Sequence, residues 1–204
     1  MNNENHRANQ SHAASTKTLT GISILAAVVV VLTIFCNFIK FGPFSITLAL
    51  APIIIGAALY GKKASAILGG VFGLVVLITG LLGLEGGTVL YLCSINTVAT
   101  VLICVGKGLA AGFVAGLVYE ALARKNMKAA VVVSGVVCPV VNTGLFILGM
   151  LVFFFDTLNG WAGGANLISY IIVGLTGVNF LIELAVNLIL SSAIVRIIKV
   201  GKKQ

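Results

Sequence analysis

Long apolar stretches, each closed by polar or basic residues, restrict what this chain can fold into. A bilayer core about 30 Å thick calls for roughly 20 apolar residues per spanning helix. Stretches of that kind recur from residue 19 to residue 198. With 59% hydrophobic and 9% charged residues over 204 positions, the chain has more apolar surface than a soluble domain needs. A transmembrane barrel would need apolar and polar residues to alternate. Residues 26–32 and 184–190 do not alternate. The 24 glycines suit close helix packing in lipid, where small residues let backbones approach. The fold class is therefore an all-α integral membrane protein.

Six spans follow from the breaks. Span one covers residues 19–38, and a loop at 40–47 is marked by Gly42-Pro43. Span two is short, residues 48–60, with Pro52 near its start where a helix tolerates proline. Gly61, Lys62 and Lys63 close it, and span three covers 64–82. The apolar run 89–123 would be about 50 Å long as one helix, too long for the bilayer core. The spanning part is therefore assigned to 101–123, leaving residues 84–98 as a long outer loop. Arg124 to Lys128 is a polar break. Span five covers 129–155, with a kink expected at Pro139. Residues 156–166 read as a loop carrying Trp161, and span six covers 167–198.

Six spans place both termini on one side. That side holds Arg7, Lys17, Lys62, Lys63, Arg124, Lys125, Lys128, Arg196, Lys199, Lys202 and Lys203, all but Lys40 and Lys107 of the 13 basic residues. Such asymmetry assigns it to the cytoplasm. The expected organisation is a disordered cytoplasmic tail (1–17), a six-helix transmembrane domain (18–200) and a basic tail (201–204). Residues 1–17 have no apolar core of the kind a signal peptide needs.

Several chemistries are excluded. The net charge of +8 reflects membrane topology and not nucleic-acid binding. Cys36, Cys93, Cys104 and Cys138 are scattered, with no zinc or redox spacing. Residues 56–63 nearly match a phosphate-binding loop, but Lys63 stands where the metal-binding Ser or Thr belongs. His6 and His12 lie in the tail, and no hydrolytic triad or metalloprotease motif occurs. No cofactor, metal or enzyme activity is expected.

Polar residues inside apolar spans are expensive and default to a functional reading. Lys107, Asn142, Asn179 and Glu183 are such residues. Helical rise puts Lys107 about 25 Å above the inner surface, and Asn142 and Glu183 about 20 Å. Asn179 lies one turn higher. Asn179, Glu183 and Asn187 share one stripe through their i, i+4, i+8 spacing. Asn142 and Thr143 follow Pro139, where a loosened backbone can offer hydrogen-bonding groups. Asn96 closes the Gly-rich outer stretch and joins the candidate substrate-binding set. These side chains suit a small molecule with several hydroxyl and amide groups. Lys107 can take a ligand carboxylate, pair with Glu183, or snorkel to the surface. Alternatively, the polar groups only bond one another and hold helices together. In span one, Gly21, Ser23 and Ala27 make a small-residue face, suited either to docking another membrane subunit or to internal packing.

Residues 41–52 (FGPFSITLALAP) and 55–61 (IGAALYG) resemble the first loop and second helix of the substrate-binding subunits, or S components, of energy-coupling factor (ECF) vitamin transporters. Residues 69–73 (GGVFG) and 139–146 (PVVNTGLF) also resemble that family, and the likeness extends over about residues 18–200. The resemblance implies a subunit that binds a vitamin tightly from outside. It implies docking through the first helix onto a transmembrane coupling protein driven by two cytoplasmic ATPases, in a prokaryotic cell membrane. It also implies toppling in the membrane to deliver the cargo. Ser23 and Ala27 match the docking positions, although the first is usually Ala. Loops 40–47 and 84–98 become candidate lids. Pantothenate suits the side chains best, with its carboxylate on Lys107 and its polar groups on Asn142, Asn179 and Glu183. Biotin remains open because the 42–47 loop resembles that subclass. Riboflavin also remains open but leaves Lys107 without an anionic partner. The rival from another class is a stand-alone channel or secondary transporter titrating Glu183, against which no convincing inverted repeat is found. A lipid-acting enzyme is a more distant alternative.

Overall fold

Inside a bilayer a helix satisfies its own backbone, which is why apolar segments adopt it. The structure, a computed structural model, describes residues 2–37, 40–41, 44–45 and 48–201. Side chains are described over 16–200, except 38–47, 175, 176, 178 and 179. The elements in order are α1 (Asn2–Cys36), β1 (Lys40–Phe41), β2 (Phe44–Ser45), α2 (Leu50–Tyr60), α3 (Lys62–Leu81), α4 (Thr88–Ala123), α5 (Met127–Phe153), α6 (Phe155–Ala162) and α7 (Leu167–Ser169). A π-helical stretch, Tyr170–Gly177, then leads into α8 (Val178–Gly201). The two short strands pair antiparallel, Lys40 opposite Ser45 and Phe41 opposite Phe44. The expected Gly42-Pro43 turn itself lies outside the described residues. The backbone of residues 2–15 continues α1.

Among the described residues, five helices are long and apolar enough to cross a membrane: Thr16–Cys36, Lys62–Leu81, Thr88–Ala123, Met127–Phe153 and Phe180–Val200. The short second span appears as α2, whose 11 residues fall well short of the bilayer core. Every residue of α2 from Leu50 to Ala58 is buried. A helix that is apolar all round belongs in the interior. Accordingly α2 touches α1, α3, α4, α5 and α8. Its lower half joins Tyr119, Ala130, Val131, Ile194 and Ile198 in one core cluster. Leu50 and Ile53 join Val29, Leu68, Phe72, Ala111 and Ala115 in another.

Helices α3 and α4 approach backbone to backbone. A Cβ at Gly69 would collide with the Gly108 carbonyl, and one at Gly108 with that of Gly69. Gly73 meets Cys104 in the same way, and Gly112 meets Ser65. The Ser65 hydroxyl lies 2.8 Å from the Gly112 carbonyl and 3.2 Å from that of Ile53, tying α3 to both α4 and α2. At the basic end, Lys62 donates its backbone N–H to Glu120 Oε1 at 2.9 Å and its ammonium to Oε2 at 3.2 Å.

Two expected loops are helical instead. Residues 84–98 were expected to be one outer loop, but α4 starts at Thr88 and breaks only at Asn96, whose φ −151° and ψ 94° are not helical. Packing decides this: Val89 lies against Gly80, and Leu92 is buried with Ile103 and Met150. The expected loop at 156–166 contains α6, because Leu158 and Ala162 have the same end of the molecule to bury against. Tyr91 and Trp161 link the two corrected segments, with ring centroids 6.3 Å apart. Asparagines cap the starts of α5 and α7. Asn126 accepts from the N–H groups of Lys128 and Ala129, and Asn166 from those of Ile168 and Ser169.

Candidate functional site

A buried polar group normally has a partner, so those without one point to something outside the chain. The buried polar residues divide cleanly on this test. Thr33, Thr79 and Thr100 each bond a carbonyl one turn back in their own helix, and Ser65 bonds across helices. By contrast Asn37 Nδ2, Ser134 Oγ, Asn142 Oδ1 and Asn187 Nδ2 are buried without a hydrogen-bond partner among the described residues. They come from the turn after α1, from α5 and from α8.

On α5, Ser134, Cys138, Asn142 and Phe146 recur every four residues and so share a face. Helix α8 runs alongside in the opposite sense. A Cβ at Gly135 would sit 3.9 Å from Asn187 Cβ and 3.7 Å from Ile54 Cδ1, which sets Asn187 at the level of Ser134 and Gly135. Glu183 stands one turn before Asn187 on α8 and is buried as well. Asn142, Glu183 and Asn187 are 6%, 6% and 2% exposed. At the rim, Lys107 on α4 holds its ammonium 4.9 Å from the Phe146 ring centroid, a cation–π distance. The direct Lys107–Glu183 pair considered from sequence is not formed among the described residues.

Asn142 on α5 and Glu183 and Asn187 on α8 are thus all buried on neighbouring helices, and Lys107 reaches Phe146, one turn beyond Asn142. Thr143 sits half-buried beside Asn142. The Asn179 side chain lies outside the described residues. Asn96 stands apart: it is exposed, and its Oδ1 accepts the Ala99 N–H at 3.0 Å, capping the second part of α4. Sequence reading missed Asn37 and Ser134. The signal for Ser134 was its spacing of two turns before Asn142. Asn37 had no such signal, because it was counted as the end of a span.

A family model for the substrate-specific component of ECF transporters matches residues 17–195. The chain belongs to that family. No curated protein matches the chain. As a substrate-specific component it is a membrane transport subunit that binds a substrate and is not an ATPase. A site without catalytic groups but with unpartnered buried amides is what such a subunit needs. Helix α1 carries the component's other candidate surface, and the structure divides its small residues between two uses. Gly21 is covered by the Tyr60 ring of α2, whereas Ser23 and Ala27 are exposed along with Ile24, Val28 and Val31.

Proposed function

We propose that this component binds a vitamin from the outer side of a prokaryotic cell membrane, with pantothenate the best fit. In this reading the chain has six membrane helices, the short α2 packed among the other five, with both termini in the cytoplasm. The observation that carries the binding reading is the pair of unpartnered buried amides, Asn142 and Asn187, flanking Glu183. Each uncompensated polar group costs about 1–3 kcal/mol, and a ligand with hydroxyl and amide groups recovers that cost on binding. Lys107 stands at the rim to receive the carboxylate, with Phe146 holding its ammonium in place. The strand pair at Lys40–Ser45 and the first part of α4 then act as lids.

The topology is supported by the positive-inside pattern. The α2–α3 corner, the α4–α5 corner and the last turns of α8 carry Lys62, Lys63, Arg124, Lys125, Lys128, Arg196 and Lys199. Exposed Ser23 and Ala27 on α1 provide the face for a transmembrane coupling protein driven by two ATPases. Small residues at such a face let helices come close.

Two experiments test this reading. Lys107→Ala is expected to weaken pantothenate binding about tenfold or more while leaving its uncharged carboxamide analogue little affected, since one charge-assisted contact is worth about 1.5–3 kcal/mol. Equal losses would remove Lys107 from that role. Co-purification of the protein with ATPase subunits is the expected sign of the coupling module, and bulky substitution at Ala27 (Ala27→Trp) is expected to abolish it without changing vitamin binding. Retained co-purification would move docking elsewhere.

A further inference from the structure

The site is deeper than the residues first assigned to it. Ser134 is 0% exposed, and its hydroxyl has no partner among the described residues. That is unusual for a helical serine, which commonly bonds the carbonyl one turn back. Asn187 stands at the same level of α5, also unpartnered. From Ser134 to Asn142 is eight residues, about 12 Å of helical rise. The polar groups therefore form a column along α5 and not a single cluster. Cys138 stands between its ends on the same face of α5, and Ile54 of α2 lies beside Gly135 at the Ser134 end. The Phe146 ring belongs to the rim, one turn beyond Asn142.

We infer that Ser134 and Asn187 form the deep end of the substrate site, so that it takes an elongated aliphatic hydroxy-amide acid lying along the column. The inference rests on the substrate-binding reading above and deepens it. The carboxylate lies at Lys107, an amide sits between Asn142 and Glu183, and a terminal hydroxyl reaches Ser134 and Asn187. A column about 12 Å long between two helices matches an extended chain. A flat fused ring system would leave the hydroxyl of Ser134 unused.

The test uses calorimetric titration of the full-length protein with three probes: pantothenate, its analogue lacking the terminal hydroxyl, and riboflavin. Ser134→Ala removes only an unpartnered hydroxyl, so the variant is expected to fold normally. It is expected to weaken pantothenate about tenfold, the worth of one hydrogen bond, and to leave the deoxy analogue unchanged. Asn187→Leu is expected to show the same selectivity. Equal losses for both probes, or no loss for either, would overturn the deep subsite while leaving vitamin binding intact. Tighter binding of riboflavin than of pantothenate by the parent protein would overturn the elongated substrate class. Failure of the parent to bind any probe would overturn the inference together with the binding reading beneath it.

Discussion

The α3–α4 side and the α5–α8 side of this molecule handle buried polar groups in opposite ways. On the first, glycines bring two backbones into contact, and the Ser65 hydroxyl spans both Gly112 and Ile53. On the second, Ser134, Asn142 and Asn187 are buried with polar atoms that find no partner among the described residues. A finished interface and an unfinished one thus sit on either side of α2. The finished side is a scaffold. In the proposed reading, the unfinished side keeps its hydrogen-bonding capacity for a substrate, at a cost in stability.

Substitutions sharpen or break that contrast. The largest effect is expected at Gly108→Leu, where a side chain would have to displace the Gly69 backbone. Overpacking of this kind costs about 3 kcal/mol or more. Loss of folded protein on size-exclusion chromatography is the expected readout, and a normally folded variant would disprove the close approach. Next comes Asn187→Leu, with the opposite sign. Removing an unpartnered amide is expected to stabilise the substrate-free protein by about 2 kcal/mol, seen as a higher melting temperature, while weakening substrate binding. A lower melting temperature would mean that Asn187 is helix glue after all.

A smaller pair of serine variants compares the two sides directly. Ser65→Ala is expected to lower stability by about 1 kcal/mol, since it deletes an interhelical hydrogen bond. Ser134→Ala is expected to raise stability slightly, since it removes a buried hydroxyl without a partner among the described residues. Equal effects would erase the distinction between the sides. The smallest effect belongs to Lys62→Ala at the basic end. The Lys62–Glu120 pair is about 40% exposed, 39% and 41% for the two side chains. Such pairs are worth about 0.5 kcal/mol. A loss of several kcal/mol would show that the α2–α3 corner depends on this contact.

Much of the scaffold was legible in the sequence, because apolar length and basic boundaries follow from the bilayer itself. The helical segments, the short α2 and the polar break before α5 could all be read this way. The helix at Thr88–Ile95 could not, since Val89 and Leu92 gain their partners only from Gly80 and Met150, far away in sequence. The same holds for α6, where burial of Leu158 outweighs a composition that looks like a loop. For the candidate site, the sequence offers Glu183 and Asn187 of α8 through their four-residue spacing, and Lys107 and Asn142 through their chemistry. Asn96 was legible only as a polar residue, and its capping role depends on the break in α4. Ser134 was hidden because a serine in a helix usually satisfies itself, and only the three-dimensional structure shows that this one does not.

The most direct test of the central claim is a pantothenate titration of the purified parent protein and Asn142→Leu side by side, with native mass spectrometry to count bound molecules. The account predicts a tight one-to-one complex for the parent. It predicts binding weakened about 100-fold or more in the variant, as expected when a ligand's polar groups lose a buried partner. Equal binding by the two proteins would contradict it, as would no binding by the parent.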